Sequence, residues 1–173
     1  MKVNSRRNLF EGRFIRVVQK HLTGRDGAQH VWEVVERTNV HGSGAVVIIA
    51  RTADDELLLE RNWRAGTESY VIQFPAGLTD QYGESEQDAA RRELLEETGY
   101  WAPELMPVFL SPLSPALTAT HAMHFFAPQA ERAGEAAHRD LEGIDLLKVP
   151  VSQIDEFLAH LPEGVELDLQ VPG

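Results

Sequence analysis

Three glutamates, Glu93, Glu96 and Glu97, stand at i, i+3 and i+4 in Arg91-Arg92-Glu93-Leu94-Leu95-Glu96-Glu97-Thr98-Gly99. In a helix that spacing gathers them on one face. Carboxylates held together repel one another unless something positive lies between them. Mg²⁺ is one answer, because it takes hard oxygen ligands and keeps several of its waters. A solvated face on which Arg92 pairs with Glu96 at i+4 is the other, and an isolated acidic triplet is more often that. The formal net charge of −11 does not choose between them. It serves solubility, and it repels nucleic-acid phosphates over most of the surface, so no nucleic-acid partner is expected.

The elements that must position these acids are legible in outline. At 173 residues the chain is long enough for one domain with a sizeable core. It has no cysteine, which excludes disulfides, thiolate metal sites and cysteine nucleophiles. The longest strongly apolar run, 45–50, is far too short for a membrane span, and the N-terminus carries no secretory pattern. A cytoplasmic location without a membrane partner is therefore expected. Residues 14–20 and 30–36 are β-rich and flank Thr23-Gly24-Arg25-Asp26-Gly27, a hairpin signal. Further strands are expected at 45–50, 57–60, 70–74, 105–110, 121–127 and 144–149. A Pro-rich loop spans 111–119, and His41-Gly42-Ser43-Gly44 reads as a loop before a strand. The helix carrying the acids should be capped by Ser85, through the amide of Asp88, and should stop at Gly99. A last amphipathic helix opens at Ser152-Gln153-Ile154-Asp155. Strands interleaved with two separated helices imply an α+β fold, a mixed sheet between helices.

Context decides the reading of the triplet. The stretch from Gly77 to Tyr100 resembles the Nudix box: Gly, five residues, Glu, seven residues, then Arg-Glu-aliphatic-x-Glu-Glu-x-Gly-aliphatic. Glu84 is followed by seven residues and then Arg92 to Gly99 in full agreement. Two positions depart from the pattern. Six residues separate Gly77 from Glu84, the extra one falling in the loop Gln81-Tyr82-Gly83, and Tyr100 replaces the terminal aliphatic residue. The resemblance implies a Nudix α/β/α sandwich with a mixed β-sheet over 41–173. A small N-terminal antiparallel β-hairpin region at 1–40 would serve dimerisation.

The chain is most similar to the ADP-ribose pyrophosphatase branch of that family. Pro75-Ala76-Gly77-Leu78 enters the box as that branch does, Pro115 lies near its marker position, and Asn62-Trp63-Arg64 matches a segment whose arginine contacts substrate phosphates. The resemblance implies Mg²⁺, with Mn²⁺ as the alternative ion. It would be held by the Ala76 carbonyl, Glu93, Glu96, Glu97 and Glu142, with Asp140 as general base. A solvated loop is an equal reading of Asp140 and Glu142. Ala116 and Thr120 stand where the branch has Gly and Glu, so substrate choice is open. Trp32 falls where the branch clamps the nucleobase from a partner subunit of a homodimer; a half-buried strand residue is an equal reading. The chain ends soon after Gly164-Val165-Glu166-Leu167-Asp168, where relatives commonly continue into another helix.

The implied activity is hydrolysis of the diphosphate linkage of ADP-ribose or a related nucleoside diphosphate sugar, releasing a nucleoside monophosphate and a sugar phosphate. GDP-mannose or another nucleoside diphosphate derivative is the enzymatic alternative. A Nudix module that senses such ligands without cutting them is the non-enzymatic one, and intact box acids speak against it.

Overall fold

A computed structural model describes residues 1–137 and 143–171 of the chain. The hairpin at the N-terminus is present and has a third member. β1 (Lys2–Glu11), β2 (Ile15–Thr23) and β3 (Gln29–Arg37) form an antiparallel sheet in the order β1-β2-β3. The turn between β2 and β3 closes where Gly24 N–H donates to the Ala28 carbonyl, with Gly27 at a φ of 82°. β1 carries no strand signal in its sequence. It is polar, exposed throughout, and its pairing with β2 shifts register twice.

A second sheet, of nine strands, follows. Its members are β4 (Gly44–Thr52), β5 (Glu56–Arg64), β6 (Ser69–Gln73), β7 (Ala76–Leu78), β8 (Tyr100–Trp101), β9 (Met106–Pro112), β10 (His121–Arg132), β11 (Asp145–Pro150) and β12 (Val165–Leu167). β10 runs parallel to β4, and β12 parallel to β6. The other pairings are antiparallel, so the sheet is mixed as expected. Helix α1 (Glu86–Thr98) lies between β7 and β8, and α2 (Ile154–Ala159) follows a 3₁₀ turn after β11.

Side-chain alternation along the central strands divides the core into two layers. Val46, Ile48 and Ala50 of β4, with Leu58 of β5, pack against Ala89, Ala90 and Leu94 of α1. Ala45 and Val47, with Leu59, point to the other face, where Ile154, Phe157 and Leu158 of α2 cover them. The sandwich is therefore helix, sheet, helix. Leu94, fully buried, anchors α1; truncating such a leucine to alanine costs about 2–5 kcal/mol. Among the described residues no helix is long and apolar enough to cross a membrane.

Candidate active site

Helix α1 begins and ends where its caps dictate. Ser85 accepts from Asp88 N–H at 3.1 Å. Gly99, at a φ of 74°, turns the chain out of the helix, and its N–H donates to the Leu95 carbonyl. A side chain at 99 would meet the Gly134 carbonyl at 2.4 Å. The first turn also ties down the loop before β4, since Glu86 accepts from Ser43 N–H at 2.9 Å. With Leu94 turned into the core, Glu93, Glu96 and Glu97 fall along a groove of about 1140 Å³ that Ala76, Gly77, Arg64, Gln73 and Arg92 also line.

Arg92 organises the acids. It meets Glu84 with two parallel bonds, Nε to Oε1 at 2.9 Å and an Nη to Oε2 at 3.0 Å. It also donates to Glu93 at 2.9 Å and to Glu96 at 3.2 Å. The i+4 pair of Arg92 with Glu96 thus exists, but as one arm of a wider network. Glu84 meets Arg92 despite the extra loop residue, and Gly83, at a φ of 81°, turns the chain just before it. The same packing uses Gly77. A Cβ there would lie 1.9 Å from the Glu93 carboxyl carbon, so a larger residue would push the Glu93 side chain out of this position.

Glu97 turns inward instead. It is 8% exposed and accepts from Ala76 N–H at 3.0 Å. Behind it sits Glu60, which the sequence reading passed over. Even-numbered positions of β5 face α1: Leu58 packs in the core, Glu60 and Asn62 are wholly buried, and Arg64 reaches the groove. Gln73 lies directly opposite Glu60 in the β5–β6 pairing, and its Oε1 accepts from Arg64 at 2.9 and 2.6 Å. The signal available in the sequence was Glu60 at the end of Leu57-Leu58-Leu59, on the same side of the strand as Leu58.

Burial raises the carboxyls of Glu97 and Glu60 above the usual carboxylate range, Glu97 further because the charges of Glu60 and Glu93 add to the effect. Burial also raises Glu93, against the opposing charge of Arg92. The two inward carboxyls are neighbours, yet neither Glu60 oxygen has a hydrogen bond of acceptable geometry. Among the described residues no three acidic or imidazole groups converge on one point. The donor set nevertheless suits a hard divalent cation: its side-chain donors are carboxylate oxygens, and both oxygens of the buried Glu60 lack a hydrogen bond of acceptable geometry.

The other expected residues are placed as follows. Trp32 is 49% exposed on β3, its indole N–H donating to the Ala116 carbonyl at 2.8 Å, and it does not line the groove. Pro115, in the loop between β9 and β10, is exposed and also lies off the groove. Asp140 and Glu142 fall outside the described residues, although Ala137 and Ile144 on either side both line the groove.

Comparison with known proteins places this architecture. A model of the NUDIX domain matches residues 40–166, and the chain belongs to that family. The ADP compounds hydrolase NudE of Escherichia coli (strain K12) is 40% identical over 104 residues, which is 60% of this chain and 52% of that protein. A GDP-mannose pyrophosphatase of Klebsiella pneumoniae subsp. pneumoniae is 30% identical over 156 residues, 84% of this chain and 75% of that protein. The ADP-sugar pyrophosphatase of Mus musculus is 34% identical over 104 residues, 57% of this chain and 47% of its own. The chain thus spans about half the length of the Escherichia coli and mouse relatives. A crystal structure of an ADP compounds hydrolase superposes with a TM-score of 0.74 at 25% identity, covering 92% of this chain and 83% of that one.

Proposed function

We propose that the protein is a pyrophosphohydrolase that cleaves the diphosphate linkage of ADP-ribose or a related nucleoside diphosphate sugar with the help of Mg²⁺ or Mn²⁺. The observation that carries this reading is the groove itself, which holds Glu93, Glu96, Glu97 and Arg64 on two elements facing one another. Glu93, Glu96, Glu97, the Ala76 carbonyl and Glu142 would hold the cation. When bound, it neutralises the diphosphate and lowers the pKa of a water. Arg64, its guanidinium fixed by Gln73, binds the phosphates. Asp140 takes the proton from the attacking water. Attack on phosphorus releases a nucleoside monophosphate and a sugar phosphate.

The N-terminal sheet supports a homodimer. Phe10, Phe14, Val31 and Trp32 are each about half exposed, and a three-stranded sheet does not bury a core alone. A second copy packed on this sheet would bring Trp32 to the partner's groove as a stacking surface for a base, with Pro115 beside it in the loop whose Ala116 fixes the indole. In this reading 1–40 is the dimerisation region and 41–173 the catalytic domain, acting in the cytoplasm. GDP-mannose is kept as a second substrate because the Klebsiella relative bearing that name aligns over most of both chains.

The test is a panel of nucleoside diphosphate sugars with Mg²⁺, scored by phosphate released after coupled phosphatase treatment. ADP-ribose should rank among the fastest substrates. No release from any member, with the protein folded, would overturn the activity; GDP-mannose far ahead of the ADP sugars would replace the substrate.

A further inference from the structure

Glu60 has no role in the hydrolysis proposed for Glu93, Glu96, Glu97 and Arg64. It is wholly buried in the middle of β5, and among the described residues neither of its oxygens has a hydrogen-bond partner. A buried carboxyl left without donors is unfavourable, and an apolar side chain would fit this strand without that cost. Leu58 stands two residues earlier on the same side, fully buried against α1. Strand parity aims Glu60 at α1, and there its neighbour is Glu97, a second buried carboxylate. Gln73 flanks it from β6, with its Oε1 already occupied by Arg64 and its Nε2 unpartnered. Two buried carboxyls side by side can both ionise only beside a positive charge, and Glu97 opens onto the groove through which a cation can arrive.

We infer that Glu60 is an additional carboxylate of the divalent-cation site, placed behind Glu97 and supplying it with a further oxygen. The inference rests on the metal-dependent reading of the groove. It extends that site from helix α1 and the Ala76 main chain to strand β5. The cation is drawn toward the sheet, and filling the site adds positive charge beside a Glu60 carboxyl that the metal-free protein offsets with Arg64 and Gln73. Gln73 then has two duties, since one end orients Arg64 toward the phosphates and the other lies against the metal-bearing carboxylates.

The deciding measurement is Mn²⁺ binding to the purified protein, read by loss of the free-ion electron paramagnetic resonance signal. Wild type, Glu60→Leu and Glu97→Gln are compared, and melting temperature is followed with and without Mn²⁺. For Glu60→Leu the Kd should rise at least fivefold, the metal-free protein should melt higher than wild type, and the rise on adding Mn²⁺ should shrink. Should Glu60→Leu fail to fold, the near-isosteric Glu60→Gln decides by the same fivefold criterion. A smaller change in Kd, with Glu97→Gln strongly weakened, overturns the role of Glu60 while leaving the site itself standing. Absence of Mn²⁺ uptake by wild type overturns the metal-dependent reading and the inference with it.

Discussion

Along helix α1 almost every demand is met within the chain. Ser85 caps its start, Gly99 ends it, Leu94 anchors it, and Arg92 gathers Glu84, Glu93 and Glu96. The N-terminal sheet is the reverse. β1 is exposed over its whole length, and Phe10, Phe14, Val31 and Trp32 keep large apolar surfaces in solvent. What remains open at the helix is charge, at Glu97 and at Glu60 of β5 behind it. What remains open on the sheet is apolar area. The first calls for a cation and a polyphosphate, and the second for another protein surface. The two regions should therefore fail differently when altered, one in chemistry and the other in assembly.

The largest effect is expected at the helix. Glu97→Gln removes a charge from the proposed metal site while keeping its shape, and kcat should fall on the order of a hundredfold or more. The fold should persist, because the amide replaces a carboxyl that burial already disfavours in its charged form. Sedimentation of this variant should match wild type. A rate near wild type with Mg²⁺ would remove α1 from the catalytic centre.

A smaller, different failure is expected at the sheet. Val31→Asp puts a charge into the exposed apolar face of β3, 55% exposed in the isolated chain. If two copies meet there, the variant should sediment as a monomer at micromolar concentration and lose affinity for substrate through displacement of Trp32. Mn²⁺ binding should be untouched, because none of the acids lies on this sheet. A wild type that is itself monomeric and fully active would show that the sheet needs no second copy.

The difference between the regions also explains what could be read in advance. The box helix is a local object whose caps, spacing and arginine lie within one stretch of sequence, so its bounds and the grouping of its acids were legible. The continuous apolar run 45–50 announced β4 as a buried strand, and strands interleaved with two helices announced the sandwich. Glu60 escaped because its meaning depends on which face of β5 the helix covers, a fact set by packing between segments far apart in the chain. β1 escaped for another reason. Lys-Val-Asn-Ser-Arg-Arg-Asn-Leu-Phe-Glu is polar, without clean alternation, and becomes a strand only because β2 offers an edge. Trp32 and Pro115 were singled out for a site that the isolated chain does not assemble around them.

The smallest expected effect is on stability, and it separates the two regions once more. In the metal-free folded protein burial raises the carboxyls of Glu60 and Glu97 above their ordinary value of 4.5. Over the interval between the unfolded and folded values the native state binds more protons than the unfolded chain, so stability falls as pH rises. The contribution is fully present below about 4.5 and is lost as pH climbs through about 7, where Glu60 titrates in the fold; the still higher value of Glu97 extends the decline upward. One pKa unit corresponds to about 1.4 kcal/mol. For a domain of this size that is roughly 2–4 °C of melting temperature per kcal/mol. The melting temperature in a chelator should therefore drop by several degrees between pH 5 and pH 8. Saturating Mg²⁺ should remove most of that slope, since it stabilises the ionised site. Glu60→Leu should flatten the profile by taking one of the two carboxyls away, whereas Val31→Asp should keep the wild-type slope at a lower overall melting temperature. A wild-type profile that rises or stays level across that range in chelator would show that the buried acids of α1 and β5 are compensated by protein groups, and the contrast between a charge-starved helix and an area-starved sheet would lose its first half.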